Sequence, residues 1–430
     1  MRRIAGAPAL PLAVLFALNL VDELDRVAFG VLSPEIRTDF GLTDAGIVGI
    51  GAAAGVTSLL AALPLGVLAD RVHRVRLAAG GAFTWAGATV LTALSPTVLV
   101  LALARTLAGT GRIVNEPVHA SLLSDYYPPA AHPRVFALHR VANPLGLASA
   151  VLVGVLGAVL DWRTVFVALA VPTLLVLPLL LRLPEPVRGS SGVTVPGVTP
   201  VAVAAPVLGV GAARRRLAST RTLRRVWVAL PVLGVAVITL PQLVSLYFER
   251  VHGYGPTGRG VVTALSGVGI TLGLAVGQRA GTRSLAQGRA DRLGTVVGLS
   301  VVAVGLGLGA MVLAPSAATA AGCYLVAGIG VGAYQPAFFT LTCLVAPPAL
   351  RGQAFAYSIL LLGVGGLLSP LLAVLGSRAG YPAALGLLAG TLVVGGLALL
   401  RTAATVQADA LLAAPVPPAP VPPAAVPSVP

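Results

Sequence analysis

Gly66-Val67-Leu68-Ala69-Asp70-Arg71-Val72-His73-Arg74-Val75-Arg76 joins two uncharged apolar runs, Ala45 to Ala69 and Leu77 to Leu94. Runs of that length cross the ~30 Å hydrocarbon core of a bilayer as helices, which takes roughly 20 residues each. The residues between them then form a tight basic turn at a membrane surface. A carboxylate held there among three guanidinium groups makes an ion-pair cluster that can form and break.

The same alternation of apolar run and short polar turn extends along the chain in both directions. Ten further runs join these two: Ala9 to Leu32, Thr97 to Leu122, Val135 to Leu160, Thr164 to Leu181, Val226 to Tyr247, Gly260 to Gly277, Gly294 to Leu313, Ala317 to Ala346, Gln353 to Leu375 and Ala383 to Leu400. The fold expected is all-α: twelve transmembrane helices in two six-helix halves. Met1-Arg2-Arg3 before the first run resembles a secretion signal, but no small-x-small cleavage site follows, so the run is taken as span one. Only 10% of the 430 residues are charged, against about 25% in soluble domains, which excludes an ordinary soluble enzyme.

All 29 basic residues are arginine. Without lysine there is no Walker A lysine, Schiff base or pyridoxal-phosphate site. The net charge of +15 is spread over short loops and forms no nucleic-acid-binding domain; it reports topology. Seventeen loop arginines fall in the even-numbered connections, among them Arg71, Arg74, Arg76, Arg134, Arg188, Arg214, Arg289 and Arg351, against five in the odd-numbered ones, Arg37, Arg163, Arg250, Arg259 and Arg378. Positive charge stays inside, so both termini are expected in the cytoplasm of a multi-pass cell-membrane protein. Four segments follow: an N-terminal half (1–181), a cytoplasmic central loop (182–225), a C-terminal half (226–401) and a Pro-rich, disordered tail (402–430). Cys323 and Cys343 lie in apolar runs without companions at metal spacing and read as core residues, and no metal or cofactor is expected.

Ionisable side chains within a bilayer are expensive and mark function by default. Here they gather in the first half. Span one carries Asn19, Asp22, Glu23, Asp25 and Arg26, with Asp22 and Arg26 at the four-residue spacing of a helical ion pair. Span four carries Arg105, Arg112, Glu116 and His119 along one stripe, with Arg112 and Glu116 placed to pair, and span five adds His139, Arg140 and Asn143. The second half offers polar groups such as Gln242, Tyr334, Gln335 and Tyr357, plus Glu249 and Arg250 at a span end. The expectation is a polar wall in the first half that handles protons or a charged substrate group; the alternative is a set of static pairs. Glycines four apart, Gly51 and Gly55, Gly269, Gly273 and Gly277, Gly305 and Gly309, Gly328 and Gly332, Gly386 and Gly390, are expected to let helices pack closely.

Gly66-x-x-x-Asp70-Arg71 with Arg74 resembles the signature loop of the major facilitator superfamily, in its expected place between spans two and three. That resemblance implies a gating loop of Gly66, Asp70, Arg71 and Arg74, with Asp70 near the start of a helix beginning around Arg351. A finer likeness is to the spinster-like lysolipid transporters. It rests on Asp25-Arg26, Arg105-Thr-Leu-Ala-Gly109-Thr-Gly111, Ser124-Asp125-Tyr126, Pro144-Leu-Gly146, Asp161-Trp162-Arg163 and Pro184-Glu185-Pro186-x-Arg188-Gly189. The family pattern has Glu where Arg112 stands, and a carboxylate returns one turn later as Glu116. The likeness implies a monomeric, proton-coupled secondary transporter that exports an amphipathic lipid-like molecule by alternating access, its partners being that substrate, membrane lipids and protons. The alternatives are a proton-coupled drug antiporter of the same superfamily and, outside transport, a membrane receptor or scaffold.

Overall fold

The computed structural model describes residues 3–4, 7–42, 44–189, 210–254, 256–366, 372, 375–376 and 378–413. The first half runs α1 (Leu10–Val31), α2 (Ser33–Asp39), α3 (Asp44–Arg71), α4 (Arg74–Ala93), α5 (Val98–Ile113), α6 (Asn115–Tyr126), α7 (His132–Arg140), α8 (Ala142–Ala148), α9 (Ala150–Val159) and α10 (Trp162–Leu181). After α11 (Val210–Ser219), the second half comprises α12 (Arg221–His252), α13 (Pro256–Ala286), α14 (Asp291–Val312), α15 (Ala317–Val345), α16 (Arg351–Gly366) and α17 (Tyr381–Leu400), followed by α18 (Ala403–Ala413). A two-residue hairpin, Arg3–Ile4 with Ala7–Pro8, precedes α1. The architecture is the twelve-helix, two-half membrane fold.

Six helical stretches among the described residues are long and apolar enough by themselves to cross a membrane: Val98–Tyr126, Trp162–Leu181, Val261–Ala286, Asp291–Val312, Ala317–Val345 and Tyr381–Leu400. Others fall short for identifiable reasons. Span one holds four charges within 22 residues, and span five is broken into α7, α8 and α9, the first break falling where Pro144 has no N–H to return to the carbonyl of residue 140. The molecule's outward face is apolar: Leu60, Val159, Leu175, Val228 and Leu313 are exposed, as a lipid-facing surface requires.

Small residues set the helix spacing in the second half. A Cβ on Gly269, Gly273 or Gly277 would come within 2.3, 2.1 and 2.3 Å of backbone carbonyls of α15, and one on Gly332 within 2.0 Å of Ile270 O. Gly55, Gly386 and Gly390 meet nothing within 4 Å, so spacing alone overstates the packing role of those glycines: they face outward, where no helix approaches.

The central connection carries a short helix, and the expectation for the tail changes. α11 turns Ala213 and Leu217 inward and Arg214, Arg215 and Arg216 outward. The tail expected to be disordered from 402 begins instead as α18, because Thr405, Val406 and Asp409 are buried and the Asp409 carboxylate accepts the Thr222 N–H at 2.7 Å. The Pro-rich residues 414–430 lie outside the described residues.

Candidate functional site

Span one delivers its acids to span four. Asp25, fully buried, accepts from Arg105 through both oxygens (3.2 and 2.9 Å), from Thr89 Oγ1 at 3.1 Å and from Arg112 Nη2 at 2.9 Å. Two guanidiniums and a hydroxyl on one carboxylate offset the cost of burying it. Arg112 Nε donates to Asp22, and Arg26 pairs with Glu23. Asp22 and Arg26, expected to pair along one helix, instead take different partners: Arg112 reaches Asp22 from span four, leaving Arg26 to the acid three residues before it. Arg112 likewise turns to the acids of span one; the side chain of Glu116, its expected partner, lies outside the described residues. Arg105 is further packed against the rings of Phe29 and Phe166, at 4.6 and 5.6 Å.

Span five closes over this cluster. Asn19 Nδ2 donates to the His139 carbonyl (3.2 Å) and to Asn143 Oδ1 (3.3 Å). A Cβ on Gly146 would lie 2.4 Å from that of Glu23, so only glycine permits this approach. His119 and His139 are buried and share a nitrogen–nitrogen contact of 3.3 Å. Arg140 lies 4.3 Å over the ring of Phe339 in α15.

At one end of the molecule the two halves are tied together by the turn quoted at the outset. Asp70 Oδ1 and Oδ2 accept the backbone N–H groups of Gly352 and Gln353, each at 2.8 Å, at the N-terminus of α16, where a helix favours negative charge. Burial pushes the Asp70 carboxyl up to about 7, against the pull of those N–H groups and of Arg188. Gly66 faces the same helix, its Cβ position 2.3 Å from that of Ala356.

Arg74 is wholly buried and donates to Asp125 (2.5 Å), Glu185 (2.7 Å), Pro186 O (2.7 Å) and Ser121 Oγ (2.9 Å). Burial works against its charge, but Asp125 and Glu185 outweigh that and hold the guanidinium above its ordinary value. The other oxygen of Asp125 accepts Arg351 Nη1 at 2.7 Å from the second half, and Arg188 donates to the carbonyls of Ala69 and Val72 at the end of α3. Arg71 is exposed. Reading the sequence missed Asp125, Glu185 and Arg351 as partners of this loop: charges 226 residues apart leave no mark in local spacing. Glu249 and Arg250 stand at the far end of α12, apart from both clusters.

The opposite end carries an open cleft of about 660 Å³ lined by Glu35, Thr38, Asp39, Asp161, Trp162 and Arg163, in which Arg163 pairs with Asp39 at 2.8 Å.

The chain matches the model of the Major Facilitator Superfamily over residues 15–370. It is similar to a 3-(3-hydroxyphenyl)propionate transporter of Escherichia coli (strain K12), 33% identical over 178 residues that make up 41% of this chain and 44% of that protein. It is also similar to protein spinster homolog 1 of Homo sapiens, 28% identical over 193 residues, 43% of this chain and 36% of that one. Each alignment therefore spans less than half of the relative's length. In fold it resembles the major facilitator transporter FucP in the outward conformation, with a TM-score of 0.74 at 16% identity, covering 91% of this chain and 98% of that one. With the family model matched over most of its length, this multi-pass membrane protein is a transporter and not an enzyme, and it belongs to the Major Facilitator Superfamily.

Proposed function

We propose that the chain is a secondary active transporter of amphipathic anions, molecules with an apolar body and a carboxylate or phosphate head, moved out of the cell by alternating access and coupled to protons. The observation that carries this reading is the unequal exposure within the ion pairs of the first half. Arg26 and Arg112 are 56% and 25% exposed at their side chains, whereas their partners Glu23, Asp22 and Asp25 are 10%, 9% and 0% exposed. These acids are sequestered, and Arg26 and Arg112 are the more exposed members of their pairs, while Arg105 is buried with Asp25; a planar guanidinium with donors to spare suits carboxylate and phosphate. The name of one relative, a transporter of a hydroxyphenylpropionate, agrees with an anionic head on a partly apolar body. The arginine bias of the loops supports cytoplasmic termini in the cell membrane. In the state described here Asp70 is seated on α16 and Arg351 on Asp125, which closes that end, the cytoplasmic one on the proposed topology.

The test is binding by the purified protein in nanodiscs of a lysophosphatidylglycerol, a phenylpropionate and a cationic hydrophobic dye. An anionic ligand should bind at least tenfold more tightly than the dye, and Arg112→Gln should remove that preference. Preference for the dye would establish the drug-antiporter reading instead, and binding without flux in proteoliposomes would establish a receptor.

A further inference from the structure

The buried histidines of the first half carry a tautomer assignment. His139 hydrogen-bonds the Leu15 carbonyl through one ring nitrogen, and a carbonyl only accepts. That nitrogen therefore holds the proton, and the other, Nε2, facing His119 at 3.3 Å, presents a lone pair. His119 Nδ1 must then be the donor of the contact, which leaves His119 Nε2 unprotonated in the neutral ring. That atom is buried and finds no hydrogen-bond partner among the described residues. The chain Leu15 O, His139, His119 thus ends in a buried acceptor lacking a donor, an arrangement that costs about 1–3 kcal/mol. The two rings meet edge to face with centroids 5.4 Å apart, so neither can turn without breaking the contact.

We infer that His119 and His139 form a one-proton site, loaded at His119 Nε2 from cytoplasmic water when that end of the molecule opens, and emptied before it recloses. Every other ring nitrogen of the pair is engaged, so an added proton has one place to go. The lone pair takes it from hydronium, and water is left behind. α7 carries His139 and packs on the second half through Arg140 over Phe339 at 4.3 Å and through Phe136 against Phe339 at 5.5 Å. Parting α7 from α15 is therefore the motion that brings water toward the pair. In the closed state Arg140, the residue that follows His139 on α7, places a second positive charge beside any imidazolium formed there. From span one the neutral Asn19 amide meets the carbonyl of His139; in α6, Glu116 stands one turn before His119, its side chain outside the described residues. Reclosing around a loaded pair would bury a charge beside Arg140, which is the reason the proton must leave first.

The test needs no substrate. The ¹⁵N-histidine spectrum of the whole protein in nanodiscs is followed from pH 8 to pH 5, with His119→Asn to assign the signal. Asparagine keeps an N–H donor toward His139 and removes the titrating atom, and His139→Gln serves if that variant misfolds. Spin labels at Val72 and Ala349 report opening of the cytoplasmic end. His119 Nε2 should gain one proton as the open fraction rises, and the open-to-closed ratio should climb with acidity up to tenfold per pH unit more in the parent than in the variant. Asp70 contributes equally to both proteins and cancels from that difference. An Nε2 that stays unprotonated to pH 5, or identical opening in parent and variant, overturns the inference.

Discussion

Gly66→Ala should open the end of the molecule that carries the Asp70 turn while leaving each half folded. The added methyl would meet the Cβ of Ala356 at 2.3 Å and the Gly352 carbonyl at 3.1 Å. Ordinary contact begins near 3.4 Å, so span two must retreat from α16 by about 1 Å. The same retreat stretches the 2.8 Å bonds from Gly352 and Gln353 to Asp70 to roughly 3.9 Å, beyond hydrogen-bond range. Because the clash exists only when the two halves touch, its cost falls on the closed state alone. Overpacking of about 1–3 kcal/mol shifts the open-to-closed ratio by roughly 5- to 150-fold. A parent protein about 1% open would become about a quarter open at 2 kcal/mol. The assay is the distance distribution between spin labels at Val72 and Ala349, with Cys323 and Cys343 replaced by alanine. Gly55→Ala, where the methyl meets nothing within 4 Å, is the control. An open fraction in Gly66→Ala within twofold of the parent would refute the idea that this contact sets the gate.

Three shorter predictions follow from other contacts. The carboxyl of Asp70 stands at about 7 in the closed state and near 3.9 once solvated, so protons favour closure; with His119→Asn in place, the closed fraction should grow as pH falls through 7 and level off near 4, and Asp70→Asn should flatten that response. Gly146→Val drives a side chain into Glu23, 2.4 Å from its Cβ position, and thermal unfolding in detergent should show a loss of several degrees or failure to fold. Asp409→Ala strands the Thr222 N–H that it accepts at 2.7 Å, which costs about 1–3 kcal/mol; limited proteolysis should then release α18 at least fivefold faster than in the parent.

The span pattern was legible because hydropathy and arginine placement are local properties. Boundaries such as Ala9 against the observed Leu10, or Leu400 against Leu400, need only the run itself. The seat of Asp70 on the helix from Arg351 was reached through the signature loop. The ion pairs of the site were not legible in the same way. Asp22 and Arg26 are well spaced on a helix, yet Arg112 arrives from another span and takes Asp22, because buried carboxylates bind whichever guanidinium the packing brings. The tie between Asp125 and Arg351 joins two halves, and no periodicity in either half announces it. The tail misled for a compositional reason: proline governs residues 415–430, whereas Ala403–Ala413 has none and finds a buried partner in Thr222.

The glycine seam between α13 and α15 has a consequence for how this transporter changes over generations. Where main chain lies against main chain, almost every substitution is sterically lethal, so the second half has little room to acquire new side chains along that line. The first half has tight glycine contacts too, Gly111 against the main chain at Gly81 and Gly146 against Glu23, but its spans one, four and five are also joined by side-chain partnerships, which can be exchanged one pair at a time. With the proposed anion site in spans one, four and five, a change of selectivity is open to side-chain exchange there, and a hybrid carrying another transporter's first half should acquire that transporter's preference.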